Sequence, residues 1–142
     1  MNKIQPKKAL FVDTQDNDKV RYLIMLRLKL SPLKAHKHAR NFIDTPDPYC
    51  TVCEQEEDTR HFLLLCKSYK LARNTLMQTI NSIFEYDIVS IVNYKVVSTL
   101  PMTRLLDILL YGKVDLPLAK NTQILKAVLD FISKSKRFDR KV

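Results

Sequence analysis

The stretch Cys50–Cys66 reads CTVCEQEEDTRHFLLLC and contains all three cysteines of the chain and one of its three histidines. Four side chains share the spacing C-x2-C-x7-H-x4-C: Cys50, Cys53, His61 and Cys66. Two thiols separated by two residues form a knuckle, and a histidine and a third thiol can complete a tetrahedron around Zn²⁺. Three unrelated free thiols are the alternative, but scattered cysteines rarely gather in one short stretch. The spacing therefore predicts a zinc site.

Such a site has a definite chemistry. Three thiolates and a neutral imidazole fill all four positions around Zn²⁺, carry one net negative charge and leave no place for water. Closed sites of this kind are structural, and we expect the metal to order residues 46–75, which contain little core of their own. His36 and His38 are competing ligands, but neither lies on the helix that carries Cys66. We expect both on the exposed face of a basic helix.

The composition favours helices. The 142 residues are 46% hydrophobic and 27% charged, which is typical of one compact globular unit. Gly112 is the only glycine, so few positions tolerate a positive φ without strain, which argues against an architecture rich in hairpins. We predict a mainly α fold, a small helical domain with an embedded CCHC zinc-binding knuckle and helix. Its segments are a basic helical lead-in (1–45), the zinc-binding segment (46–75) and a helical C-terminal region (76–142).

Apolar spacing and capping residues predict individual elements. The stretch 88–97 is rich in β-branched residues, so it is either a short strand or a buried helix. The predicted helices run from a cap at Asp16 or Asp18 to about Leu30, from an N-cap at Ser31 to about Asn41, from a cap at Asp58 or Thr59 to near Cys66, from Ser68 to Phe84, from Pro101 to Gly112, and from between Pro117 and Asn121 to about Lys136.

The net charge of +9 indicates a polyanionic partner, RNA or DNA, although simple solubility is an alternative. The excess lies in the flanks, because residues 1–45 carry ten basic and four acidic side chains. The candidate phosphate contacts are Lys34, Lys37, Arg40, Lys67, Lys70 and Arg73. The candidate aromatic contacts to unpaired bases, which could equally be packing residues, are Tyr22, Phe42, Tyr49 and Tyr69.

Other function classes find little support. No apolar run approaches the roughly 20 residues that span a bilayer, and 1–8 is too polar for a secretion signal. We therefore expect an intracellular protein, nuclear or cytoplasmic, that has no membrane partner. With the cysteines assigned to metal and no catalytic triad or glycine-rich loop present, we expect no enzyme and no small-molecule substrate. We interpret the acidic cluster 54–58 as a solvated loop.

The string LRLKLSPLKAHKHARNFIDTPDPYCTVCEQEEDTRHFLLLCKSYKLAR, residues 26–73, resembles the C-terminal region of non-LTR (LINE-type) retrotransposon polyproteins, downstream of the reverse transcriptase. The similar features are the lead-in before the knuckle, the D-x-P turn, the acidic segment and the HFLLLC helix. The segment ILLYGKVDLPLAKNTQILKAVLDFISKSKRF, residues 108–138, is similar to the tail of the same polyproteins. The CCHC spacing is the more specific of the two features.

This resemblance implies a zinc-binding module that contacts RNA or DNA during target-primed reverse transcription. It assigns the metal ligands to Cys50, Cys53, His61 and Cys66. The chain has no Y-x-D-D or endonuclease motif, so the family's catalytic activities do not carry over. One alternative is an interaction module that docks on a reverse-transcriptase core through Leu105–Leu110 or Ile124–Ile132, with zinc purely structural. Another is a relic reading frame without a selected role.

Overall fold

A computed structural model of the chain describes residues 17–93 and 95–139, and within them the fold is mainly helical. The expected cap at Asp16 lies outside the described residues. The helices are α1 (Asn17–Leu28), α2 (Lys34–Ala39), α3 (Lys70–Phe84), α4 (Met102–Tyr111) and α5 (Leu118–Ser135), with a π-helical segment at His61–Leu65 and a 3₁₀ turn at Lys67–Tyr69. None of the helices in this part of the chain is long and apolar enough to cross a membrane.

The two C-terminal helices confirm their sequence-based bounds. α4 begins directly after Pro101 and ends at Gly112, whose φ of 76° is strained for any side chain. α5 begins after Pro117 and ends before Lys136, which adopts a left-handed conformation with φ 55°. Proline suits a helix start and a left-handed residue suits a helix end, so these boundaries follow from local backbone chemistry.

The stretch 88–97 forms strands, which resolves the alternative between strand and helix. β1 (Val89–Val92) and β2 (Lys95–Ser98) pair antiparallel, with Val92 opposite Lys95. Asn93 provides the positive φ of the turn, 52°, that glycine often supplies. The Asn81 side chain on α3 holds the start of β1 by accepting from the Ile88 and Val89 amides at 3.0 and 3.1 Å.

One hydrophobic core joins the helices to the cysteine-rich segment. α3 packs along α5, α1 and α4 also contact α5, and β2 lies against the π-helical segment. Phe62, Leu63 and Leu64 are fully buried in this core, and the Phe62 ring lies 5.2 Å from that of Phe131 on α5. Residues 46–75 therefore contribute buried side chains to a core that they share with the helices.

One local prediction was wrong. Ser31 does not cap α2; its hydroxyl instead accepts from the Leu33 amide at 3.1 Å and contacts the His36 ring at 2.7 Å. On α3, Leu71 is 75% exposed although it is apolar. Arg73 occupies the buried face of that helix in its place.

Candidate metal centre

A tight backbone turn presents Cys50 and Cys53. The Cys50 amide donates to the Gln55 carbonyl at 2.7 Å, and the Glu54 amide donates back to the Cys50 carbonyl at 2.9 Å. Glu54 closes the turn with a φ of 62°, a value common for glycine and uncommon for glutamate. The Lys67 amide lies 3.5 Å from the Cys53 sulfur. Both thiols of the knuckle thereby face the segment that carries the other two ligands.

His61 and Cys66 are brought together by the π-helical segment His61–Leu65. In an α-helix, two side chains five residues apart point in directions that differ by about 140° around the helix axis. Here the Cys66 amide donates to the His61 carbonyl at 2.8 Å, the i→i+5 bond that defines a π-turn. The Asp58 carboxylate accepts from the His61 amide at 2.8 Å, which confirms the predicted cap. The wider winding places this pair of ligands on one side.

The structure brings the four predicted ligands into one cluster. The ligand atoms of Cys50, Cys53, His61 and Cys66 all lie within 4.8 Å of one another. The Cys66 sulfur is 3.9 Å from each of the other two sulfurs. Since Zn–S bonds are about 2.3 Å, sulfurs at two corners of a tetrahedron lie about 3.8 Å apart. The spacing is compatible with a metal ion such as zinc.

The imidazole of His61 gives independent support. The residue is only 2% exposed, and neither ring nitrogen has a hydrogen-bond partner among the described residues. Buried polar atoms are normally satisfied, so an unpartnered ring beside three thiols points to a missing ligand bond. Burial also lowers the pKa of His61, although Asp58 acts in the opposite direction. A lowered pKa favours the neutral imidazole that metal binding requires.

The Cys66 thiol resists ionisation without a cation. Burial raises the pKa of Cys66 to about 11, and the neighbouring thiols of Cys50 and Cys53 act in the same direction. Hydrogen bonds from Ser68 oppose this effect. A divalent ion reverses this preference because it binds the thiolate form. The buried Cys66 thiol is thus better suited to binding a metal than to acting as a nucleophile.

Arg73 corrects one predicted phosphate contact. Its side chain is 1% exposed, and its guanidinium donates to the carbonyls of Phe62, Leu63 and Cys66 at 3.1, 3.0 and 2.7 Å. Burial lowers the pKa of Arg73 to about 10, and the thiols of Cys66 and Cys53 oppose that effect. Nucleic acid cannot reach this side chain. The sequence did contain the signal, because Arg73 precedes the buried residues Leu76, Met77 and Ile80 by three, four and seven positions.

Glu57 links the segment that carries the cysteine–histidine cluster to the basic helix α2 through hydrogen bonds. It is buried, which corrects its interpretation as part of a solvated loop. Its carboxylate accepts from the Lys34 amide at 2.8 Å and from two nitrogens of Arg137 at 2.9 and 2.8 Å. Its carbonyl accepts from the Ala35 amide at 3.1 Å. The position of α2 therefore depends on residues 50–66, which we call the metal-ligand segment.

The remaining predicted phosphate contacts have different surroundings. Lys34 and Lys37 are half-buried and pair with Asp47 and Asp44 at 3.1 and 2.9 Å. The exposed Arg40 donates to the carbonyls of His36 and Ser31 and lies over an aromatic ring. Lys67 is exposed and Lys70 is half-buried; they follow Cys66 by one and four residues. Whether any of them contacts phosphate stays a prediction.

The two competing histidines lie outside the cluster. His36 is buried, contrary to expectation, and its ring contacts the hydroxyls of Ser31 and Thr59 at 2.7 and 3.4 Å. His38 is exposed as expected, and its ring lies 3.3 Å from the Thr45 carbonyl. The structure thus favours His61 as the fourth ligand.

Only part of the candidate aromatic and apolar surface is exposed. Tyr22 stacks on Phe138 and Tyr69 packs edge-on against Phe62, so among the four candidates only Phe42 and Tyr49 are exposed. The proposed docking faces on α4 and α5 are mostly buried in the core, which corrects that assignment. Their exposed positions do not form the apolar face expected.

Comparison with protein-family models, with curated proteins and with solved structures found no match to this chain.

Proposed function

We propose that this chain is a zinc-binding module that binds RNA or DNA, performs no catalysis of its own and derives from the C-terminal region of a non-LTR retrotransposon polyprotein. The observation that carries the proposal is the grouping of four ligand atoms within 4.8 Å around an otherwise unpartnered buried imidazole. The likeness of residues 26–73 to those polyproteins supports the origin. Zinc is the best fit because three sulfurs and one nitrogen suit its tetrahedral preference.

The donor set leaves the metal itself no catalytic role. Four protein ligands fill the tetrahedron and leave no open position for water or substrate. Zinc in this setting supplies folding energy and holds the knuckle against the π-helical segment His61–Leu65. The protein's own residues then position the surrounding basic surface.

Nucleic-acid binding is supported by the charge and by the link between Glu57 and α2. The net charge of +9 attracts polyanions, and α2 carries Lys34 and Lys37 beside the metal-ligand segment. Their ion pairs with Asp47 and Asp44 involve carboxylates that are 48% and 69% exposed. Such surface pairs contribute only about 0–1 kcal/mol, so phosphate can replace the carboxylates.

The test is a binding titration with a labelled RNA and a labelled DNA at several salt concentrations. We expect affinity to fall steeply with salt, because phosphate contacts release counterions. Changing Lys34, Lys37 and Lys67 to Glu should weaken binding at least about tenfold. Changing Lys95, Arg104 and Lys126 to Glu is the control, since it alters the net charge equally at exposed positions remote in sequence from the centre.

Equal losses in the two triple variants would show attraction by net charge alone and would overturn the proposed surface. Binding that is absent, or independent of salt, would overturn the nucleic-acid function. If the chain fails this test but still binds a reverse-transcriptase core, the result would favour the interaction module instead.

A further inference from the structure

Arg73 is the only lysine or arginine among the described residues that is fully buried. Its guanidinium donates three hydrogen bonds to carbonyls of the metal-ligand segment, those of Phe62, Leu63 and Cys66. These bonds give each of its three nitrogens a partner, but a neutral carbonyl supplies no counter-charge for the guanidinium. No carboxylate of the described residues forms an ion pair with it.

A buried charge requires a compensating charge, because burial removes the solvation that stabilises it in water. The acidic groups that interact most with Arg73 are the thiols of Cys66 and Cys53, together with the hydroxyl of Tyr69. Protonated thiols carry no charge, whereas metal-bound thiols are thiolates. Zn²⁺ with three thiolates and one imidazole carries one net negative charge, equal and opposite to that of Arg73.

We propose that Arg73 is a positioning residue of the metal centre. Its charge offsets the net negative charge of the zinc–thiolate cluster, and its three hydrogen bonds hold His61 and Cys66 at ligand spacing on the π-helical segment. This inference rests on the zinc binding proposed above. It assigns to α3 a part in metal binding although that helix supplies no ligand.

The first test is zinc affinity, measured by competition with a chromophoric chelator. Arg73→Met removes the charge and the donors, and we expect it to lower affinity about 10- to 100-fold, as for other residues that support metal ligands. Arg60→Met is the matched control, because Arg60 precedes His61 but is exposed. Solvent screens its charge, so its affinity should stay within about twofold of wild type. Equal affinities of the two variants would overturn the proposal.

The second test separates charge from packing. Co²⁺ in place of zinc gives sulfur-to-cobalt charge-transfer bands, whose energy depends on the electrostatic potential at the thiolates. Loss of a nearby positive charge raises the energy of the donor electrons, so Arg73→Met should move these bands to lower energy, while Arg60→Met leaves them in place. A merely structural role would not move them, and unshifted bands would overturn the charge assignment.

A double variant provides the third test. Cys53→His leaves two thiolates and two imidazoles, a neutral centre, so Arg73→Met should cost less zinc affinity in this background than in wild type. An equal loss in both backgrounds would contradict charge compensation. If Arg73→Met fails to fold, Arg73→Lys replaces it: the retained charge should keep the cobalt bands at wild-type energy, and shifted bands would overturn the proposal.

The outcomes also separate this inference from the proposed function. A wild-type chain that binds no zinc would refute both. Tight zinc binding by wild type and Arg73→Met alike would refute only the role of Arg73.

Discussion

His61 differs from the other two histidines because its buried ring has no hydrogen-bond partner within residues 17–93 and 95–139. His36 contacts two hydroxyls, and His38 lies at the surface. We therefore expect His61→Ala to abolish equimolar zinc binding and His38→Ala to leave it unchanged, as measured by metal analysis after gel filtration. Full zinc content in His61→Ala would mean that another side chain is the fourth ligand.

Glu57 shows how a single carboxylate connects distant parts of the chain. Burial acts to raise its pKa, but hydrogen bonds from Arg137 and from the Lys34 amide outweigh burial and lower the pKa below the ordinary value of 4.5. The carboxylate therefore stabilises the fold fully above pH 4.5. That contribution is lost as the pH falls through the lowered pKa, because the protonated group cannot keep the ion pair.

The corresponding variant is Glu57→Gln. At pH 7 we expect its free energy of unfolding to be about 2 kcal/mol lower than that of wild type, because it loses two charge-assisted hydrogen bonds to Arg137. The difference between the two proteins should shrink as the pH falls below 4.5, because wild type then loses the same charge. Denaturant unfolding at a series of pH values checks this. A difference that is constant with pH would show that Glu57 acts by shape alone.

Among the elements, Gly112 ends α4 in a conformation reserved for glycine. Its φ of 76° and ψ of −167° lie in a region that other residues essentially avoid. A Cβ there would come within 2.7 Å of the Asn121 side-chain oxygen, which accepts from the Lys113 amide. Gly112→Ala should therefore lower the free energy of unfolding by about 2–3 kcal/mol.

Lys136 at the end of α5 is the control for this prediction. Its φ of 55° is left-handed, so Lys136→Gly removes strain and should be neutral or stabilising by up to about 1 kcal/mol. Thermal unfolding followed by circular dichroism measures both variants. A tolerated Gly112→Ala would mean that the α4–α5 connection relaxes without cost.

The elements also show what sequence could predict. The helix ends predicted from Pro101, Pro117 and Gly112 were correct, because proline and glycine determine a helix end through their own backbone geometry. The π-helical segment was not predicted, because its i→i+5 bond depends on the ligands and on burial of Phe62 rather than on local propensity. Asn93 in the hairpin turn is one of six non-glycine residues with positive φ among those described, so the low glycine count understated the chain's capacity for positive φ.

For the whole molecule, the cluster of four candidate ligands was predictable, because their spacing is encoded in one short stretch, residues 50–66. The environment of Glu57 was not. Arg73 and Glu57 were both expected at the surface, but Arg73 is buried where α3 meets the metal-ligand segment, and Glu57 is buried where Lys34 and Arg137 meet it. The bonds between Glu57 and Arg137 join residues 80 positions apart, so single-sequence patterns describe them poorly, whereas the burial of Arg73 follows the helical spacing of α3. The bonds of Glu57 to the Lys34 and Ala35 amides explain why the basic helix α2 depends on the metal-ligand segment.

A zinc ion in this centre should therefore stabilise the entire fold. Structural zinc contributes on the order of 10 kcal/mol at neutral pH, comparable with the stability of a small domain. Removing it frees three thiols and one imidazole at the edge of the core that contains Phe62. We expect chelation to lower helix content and to abolish the cooperative unfolding transition.

Native mass spectrometry of the purified chain, before and after alkylation under non-denaturing conditions, examines the centre most directly. We predict one zinc per chain, with Cys50, Cys53 and Cys66 all protected until a chelator is added and all three alkylated afterwards. A chain that is folded without metal, and whose half-buried Cys53 is alkylated at once, would contradict a zinc centre and everything inferred from it.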